Sequence, residues 1–496
     1  MPFQAPEIEW LGIAPELTVA GTALLLLLVD SLLKERFPRF VIPLLATAGL
    51  LVAAFLAVKG WEFARDEGAA LNFSGMIAVD AFSVFGKMSL ATFGLLTVWL
   101  AREYLRRELI EEAEFYALIL FAVAGMMLMT SAADLVVMFL ALETFSIALY
   151  VLVGFRRGSL VGQEGAMKYF LLGAFSSAFF LLGIAFVYGA TGSTLLYRAG
   201  GADGVSGYLA TTPGAEVGLL VLAVAFLIVG LGFKVAAVPF HLWTPDAYQG
   251  APSPVTGFMA AGSKLAGFAA LLRLLDVVLF PLVWDWRPLV IGIATITMVV
   301  GSVLAVVQED VKRLLAYSSI AHAGFVFTGI IAGNDRGVSG SLFYLATYGL
   351  TVLGAFAIVA VLGGKEERRT RLNDFRGTFN EHPMLAGLMT LFLLSLAGVP
   401  LTSGFVAKLV VFGAAVEAGY EWVVIVGVLA SAIAAFFYLR VMVVMYMVEP
   451  EADAPRARLG PLSLGVLAVT GAATLVLGLF WGPLIDLAEQ ARIFAG

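Results

Sequence analysis

Apolar residues fall in blocks of about twenty along almost the whole chain, separated by short gaps rich in charge, glycine or proline. A helix of about twenty residues rises about 30 Å, the depth of a bilayer's hydrocarbon core. Lipid offers no partner to backbone amides, so such blocks must cross as helices. The chain therefore reads as an all-α polytopic membrane protein. Composition agrees, since 61% of residues are hydrophobic and only 13% charged, outside the balance of soluble domains. No gap is long enough for a soluble domain, and the whole of 1–496 reads as one membrane domain.

The blocks give about fourteen transmembrane helices, with starts near residues 11, 40, 76, 114, 132, 164, 216, 252, 288, 312, 338, 384, 422 and 462. The opening MPFQAPEIEW lacks the basic region of a signal peptide, so the first block reads as a retained helix. Placing the N-terminus outside puts more than twice as many lysines and arginines in inside loops as in outside segments, which favours both termini outside. The loop GKEERRTRLNDFRGTFNEHP at 364–383 is the strongest inside signal.

Proline interrupts two of these helices. In FKVAAVPFHLWTPDAYQGAPSPV, Pro239 and Pro245 break helix 7 after Lys234; in LAGVPLTSGFVAKLVVF, Pro400 breaks helix 12 before Lys408. Each proline withholds a backbone donor and frees a carbonyl, tolerable at membrane depth only beside protein or water. Helices 4–8 and 9–13 form two sets of five, each broken in its fourth member, and an odd number forces the second set to insert upside down. The expected organisation is helices 1–3 over 1–110, a first repeat over 111–280, an inverted second over 281–450, and helix 14 over 451–496.

Charges inside the apolar blocks are the chemical signal. Lys168, Lys234, Lys264, Lys408 and Glu143 each cost roughly 3 kcal/mol on insertion, together on the order of 15 kcal/mol before partners form. Glu143 lies mid-helix, too far from either end to snorkel, and is expected to pair with Lys234, either as a static bridge or as a switch between charge states. Lys264 has no acidic neighbour in its helix and is flanked by small residues that leave room for water, which suits a proton carrier. Lys408 is the natural terminal member. His322, on the inverted counterpart of helix 5, is the candidate stepping stone between Lys264 and Lys408, although a lone histidine is often merely hydrogen-bonded. His241 stands at the first break, as a gate or a cap. Lys168 and Arg440 lie near helix ends and are able to snorkel, and Lys87 in helix 3 has no evident role. Lys234, Lys264, His322 and Lys408 are expected to form a file parallel to the membrane.

The absence of cysteine excludes a cysteine-ligated iron–sulfur cluster and any disulfide. Three histidines make a bis-histidine haem a matter of chance pairing, so no cofactor and no metal are expected in this chain, and no nucleic-acid partner.

The segments FLALETFSIALYVLVGFRR, EGAMKYFLLGAFSSAFFLLG, GFKVAAVPFHLWTPDAYQGAPSPV, GSKLAGFAALLR and DVKRLLAYSSIAHAGF together resemble the antiporter-like membrane subunits of bacterial respiratory complex I, the proton-pumping NADH:quinone oxidoreductase, a family shared with multisubunit Mrp sodium/proton antiporters. The resemblance implies fourteen helices, inverted five-helix repeats and broken helices 7 and 12. It matches Glu143 and Lys234 to the family's glutamate–lysine pair, Lys264 to the central lysine and Lys408 to the terminal residue. A terminal lysine resembles the L and N branches, whereas M carries glutamate; the chain reaches Gly496 without the long lateral helix of L, which points to N. The implied partners are other membrane subunits (antiporter-like M, and small subunits such as K and J) and membrane lipids, with NADH, FMN, iron–sulfur clusters and quinone in partner subunits and a bacterial inner membrane around them. Three functions follow: a redox-linked proton translocase subunit, an Mrp-type antiporter subunit, and a structural scaffold whose buried pairs fix packing. The last leaves Lys264 unexplained.

Overall fold

The structure is a computed structural model in which residues 8–33, 38–66, 68–110, 112–199, 203–211, 217–450 and 458–494 are described. Twelve long apolar helices and two broken pairs follow the expected order: α1 (Ala14–Leu33), α2 (Val41–Asp66), α3 (Ala81–Glu108), α4 (Ala113–Ser131), α5 (Leu135–Val153), α6 (Leu160–Thr191), α7a (Val217–Lys234) with α7b (Thr244–Gly250), α8 (Ser253–Val278), α9 (Val283–Val306), α10 (Val311–Ala332), α11 (Asp335–Leu362), α12a (Pro383–Ala397) with α12b (Ser403–Glu417), α13 (Glu421–Met447) and α14 (Pro461–Leu479). A surface helix, α15 (Gly482–Gln490), follows.

Where helix 3 was expected to begin near residue 76, the chain forms an antiparallel hairpin, β1 (Ala70–Asn72) against β2 (Ile77–Val79). The turn takes left-handed backbone at Phe73, Ser74 and Gly75, and α3 waits for Asp80, whose carboxylate accepts from the Ser83 amide in a capping box. Hydropathy alone does not see a three-residue strand.

The interior is built from α8, α10 and α11, whose membrane-length windows are 100%, 94% and 89% buried, against 22% for α1 and 33% for α13 and α14. The outer helices expose leucine, isoleucine and phenylalanine, as a lipid-facing surface requires.

The two five-helix sets share small constellations. Asp134 caps α5 through the Val136 and Val137 amides and accepts the Thr194 hydroxyl at 2.6 Å; Asp310 caps α10 through the Arg313 amide and accepts the Thr370 hydroxyl at 2.5 Å. Each partner lies sixty residues ahead. Short antiparallel bridges, Asp134 with Leu195 and Asp310 with Arg371, accompany both clasps. Glycine recurs in the same way: a Cβ on Gly125 of α4 would stand 2.8 Å from the Phe145 amide of α5, and one on Gly301 of α9 would stand 2.5 Å from the Ala321 amide of α10. Only glycine admits that approach. Five crossings separate each pair of equivalents, so the two clasps sit at opposite faces of the membrane.

The broken helices follow from proline. In helix 12, the carbonyl of Leu396 would accept from the amide four residues on, but that residue is Pro400. α12a therefore ends at Gly398, in left-handed conformation at φ 87°, and α12b starts at Ser403. In helix 7, Lys234 is the last residue of α7a, Pro239 lies in the gap, and Pro245 sits in the first turn of α7b, where a missing amide costs nothing. The gap is tied down by neighbours: Val238 donates to the Thr297 hydroxyl at 2.9 Å, and the Trp243 indole donates to the Phe233 carbonyl at 3.0 Å.

Candidate functional site

Buried cations divide into two sets. Lys87, Arg273 and Lys312 each meet a carboxylate. Lys87 lies 2.8 Å from Glu16, with its ammonium also on the Gly12 carbonyl, which gives the unassigned lysine of helix 3 a packing role between α1 and α3. Arg273 grips Asp80 with two nitrogens at 2.9 and 3.1 Å, both side chains wholly buried. Lys312 lies 2.6 Å from Glu367. Lys234, Lys264 and Lys408 are equally buried, and among the described residues none has a carboxylate within ion-pair distance. A buried charge with a fixed counter-ion stays charged, whereas one without is free to shed its proton.

Lys234 ends α7a inside an aromatic cage, with the rings of Phe145, Tyr150, Tyr169 and Phe233 centred 5.0 to 5.6 Å from its ammonium. It donates to the Tyr150 hydroxyl at 3.2 Å. Glu143 instead takes the Ser177 hydroxyl of α6, so the expected Glu143–Lys234 contact is absent from this conformation. Behind the cage, Tyr169 stacks on Trp243 at 4.2 Å.

Lys264 follows a π-helical turn, Met259–Ser263, within α8, and Arg273–Val278 is a second. Such turns leave a carbonyl free of regular pairing and occur at working sites. Its ammonium reaches across to the Ser319 carbonyl of α10. The Ser319 hydroxyl accepts from Tyr348 at 2.8 Å, and the Tyr348 ring lies 4.8 Å from the His322 ring. His322 Nδ1 meets the Tyr344 hydroxyl at 2.8 Å, and Nε2 faces the Tyr438 hydroxyl at 3.4 Å, itself bonded to Ser318.

Lys408 turns back onto the break. Its ammonium donates to Leu396 and Ala397 carbonyls at 3.1 and 3.0 Å and to the Ser431 hydroxyl at 3.1 Å. The carbonyl freed by Pro400 is thus filled by a lysine. Ser319 and Tyr348 bring Lys264 to the His322 ring, the last step being ring packing rather than a hydrogen bond, and Lys408 lies on the Leu396 carbonyl.

The remaining candidates fall elsewhere. Lys168 has a side chain 43% exposed and pairs with Glu164 at 2.6 Å and Asp246 at 2.7 Å, at the rim beside Arg313. It does not join the buried group. His241 lies in the helix 7 gap, and its Nδ1 has no hydrogen-bond partner among the described residues. Arg440 caps the end of α9 through the Val306 and Gln308 carbonyls. No group of three or more His, Cys, Asp or Glu side chains among the described residues is placed to hold a metal ion. The hydroxyls of Tyr150, Tyr344, Tyr348 and Tyr438 were missed from sequence. The four-residue spacing of Tyr344 and Tyr348, which puts both on one face of α11, was the available signal.

Residues 132–434 match the family model described as NADH:quinone oxidoreductase/Mrp antiporter, TM. NADH-quinone oxidoreductase subunit N of Parafrankia sp. is 44% identical over 98% of this chain and 95% of its own. The chain belongs to the subunit N family. Subunit N of Chloroflexus aggregans is 41% identical over 99% of both chains. Among solved structures, a chain of respiratory complex I from Thermus thermophilus with bound aureothin superposes with a TM-score of 0.81 at 35% identity, covering 96% of this chain and 99% of that one. A chain of the Mrp complex from Dietzia sp. superposes at 0.83 with 21% identity, covering 97% of each chain, a likeness of fold alone. Glu143, Lys234, Lys264, His322 and Lys408 all lie within the matched residues 132–434.

Proposed function

We propose that this chain is the proton-translocating subunit N of a respiratory NADH:quinone oxidoreductase, with Glu143, Lys234, Lys264, His322 and Lys408 carrying the proton. NADH, FMN, iron–sulfur clusters and quinone belong to partner subunits, with antiporter-like M and small subunits such as K and J beside it, in a bacterial inner membrane with both termini outside. The observation that carries the reading is that three buried lysines, Lys234, Lys264 and Lys408, lack a counter-ion among the described residues.

In this reading a proton on Lys264 passes through hydroxyls and His322 to Lys408, and each arrival changes the cost of charging the next site. Lys234, caged by rings and offset from Glu143, is the switch: when Glu143 approaches, its charge is favoured, and when Glu143 withdraws, its proton is released. Lys168 and His241 stand outside this row, as an ion-paired rim residue and a gap residue. An exchange of sodium for protons in an Mrp-type assembly would use the same lysines, but the relatives from Parafrankia sp. and Chloroflexus aggregans, 44% and 41% identical, are NADH-quinone oxidoreductase subunits N.

The test is Lys264→Ala in the assembled complex. Quinone-linked proton pumping should fall while assembly persists, and Lys264→Arg should not restore it, because guanidinium keeps its proton. Full pumping in an assembled Lys264→Ala complex overturns the reading.

A further inference from the structure

At the face carrying the 364–383 loop, a cavity of about 740 Å³ opens between the ends of α3 and α11 and the start of α14. Arg106, Arg107, Lys365, Arg369 and Arg458 line it, with Glu103 the one carboxylate among the described residues. Glu103 is already committed: it accepts the Leu462 and Ser463 amides in the first turn of α14, at 2.8 and 3.2 Å. Arg107 holds Glu108 at 3.2 Å and the Ala360 carbonyl at 2.7 Å, yet its Nη2 is buried without a hydrogen-bond partner among the described residues. No carboxylate among the described residues pairs with Arg106, Lys365 or Arg458.

Arg106 also lines an adjoining cavity of about 290 Å³, together with Arg39, Arg102 and Glu112. Arg39 is paired with Asp30 at 2.8 Å, whereas Arg106, Lys365 and Arg458 lack a carboxylate partner among the described residues. The deeper wall is apolar, formed by Leu100, Val361, Leu362 and Leu459. Arg106 and Arg107 occupy the last turn of α3, the level at which a membrane helix leaves the hydrocarbon, and Leu100 lies a turn and a half below.

We propose that this hollow binds an anionic phospholipid, its phosphate among Arg106, Arg107 and Arg458 and its acyl chains along Leu100 and Leu362. The cations call for a phosphate group, a chemistry that a lipid headgroup and free phosphate share. The apolar wall favours the lipid, since an inorganic ion gains nothing from it. Basic pockets between membrane helices on the side rich in lysine and arginine are where such headgroups are held. The bound lipid would join α3, α11 and α14, three helices distant in sequence.

The experiment uses the purified, delipidated complex, titrated in detergent with phosphatidylglycerol, phosphatidylcholine and inorganic phosphate, with bound lipid counted by native mass spectrometry. The Arg106→Gln/Arg458→Gln double variant should bind phosphatidylglycerol roughly thirtyfold more weakly at one site, because each basic side chain contributes about a factor of five. Arg198→Gln, remote from the hollow, should bind as the unaltered complex does. If the double variant does not assemble, Lys365→Gln at the exposed rim should weaken the site about fivefold. Unchanged phosphatidylglycerol binding in these variants overturns the proposal. Equal binding of phosphatidylcholine, or displacement of the lipid by millimolar phosphate, does so too, the latter assigning the site to the free ion.

Discussion

Among the described residues, Lys234, Lys264 and Lys408 are buried without a counter-ion, whereas Lys87, Arg273 and Lys312 each meet a carboxylate. Glu143 and Lys234 are both central to membrane helices, and the conformation described keeps them apart, with Ser177 on one and Tyr150 on the other. If the two exchange between this state and a paired one, the double replacement Glu143→Gln/Lys234→Met should cost less than the two single losses summed, because each single change leaves one charge uncompensated. A double-mutant cycle on pumping rate measures this, and strict additivity would count against coupling. His322 gives a finer test. Tyr344→Phe removes the hydroxyl at 2.8 Å from Nδ1 and leaves the ring packing in place. Pumping should fall about tenfold, as for loss of one positioned proton-transfer group, with the complex still assembled; unchanged pumping would reduce His322 to a packing residue.

At the scale of the element, the break in helix 12 leaves a carbonyl that Lys408 occupies. Pro400→Ala returns an amide to the position that would bond the Leu396 carbonyl, so α12a would extend and compete with Lys408 for that oxygen. Pumping should drop and thermal stability rise or hold; a fall in both would mean that the proline serves folding alone. Much of this level was legible in the sequence. Block length gave the helices, and Pro239 and Pro400 gave the gaps, because proline acts through its own backbone and needs no knowledge of neighbours. The buried lysines were legible for the same reason, as charges out of place in apolar runs. Their partners were not. Ser319, Tyr348 and Ser431 reach Lys264, the His322 ring and Lys408 across helices, and hydropathy carries no information on which faces meet. The β hairpin and the π turns escaped for a related reason: they depend on three to six residues each, below the window that reveals a membrane helix.

At the scale of the molecule, loop and helix ends bind the two repeats together. Glu367, in the loop after α11, takes Lys312 of α10 at 2.6 Å and the Ser253 amide at the start of α8 at 2.7 Å, with Arg156 at 3.8 Å. Burial alone would push this carboxyl up, but Lys312 and the Ser253 amide outweigh it and hold Glu367 below its ordinary value. A carboxyl lowered on folding stabilises above its unfolded value, about 4.3, and loses that contribution as pH falls through the folded one. The thermal midpoint should therefore decline below about pH 4, and Glu367→Gln should both lower the midpoint at pH 7, by about 3 kcal/mol of stability, and flatten the acid decline. An unaltered acid profile in that variant would assign the decline to other carboxylates.

The Leu396 carbonyl carries a consequence of its own. A single peptide oxygen deprived of its helical donor serves Lys408, so its stretching vibration senses the electric field of that ammonium. Isotope editing at that one residue would turn it into a spectroscopic reporter of Lys408, shifting in frequency as that ammonium gains or loses charge and leaving every side chain untouched.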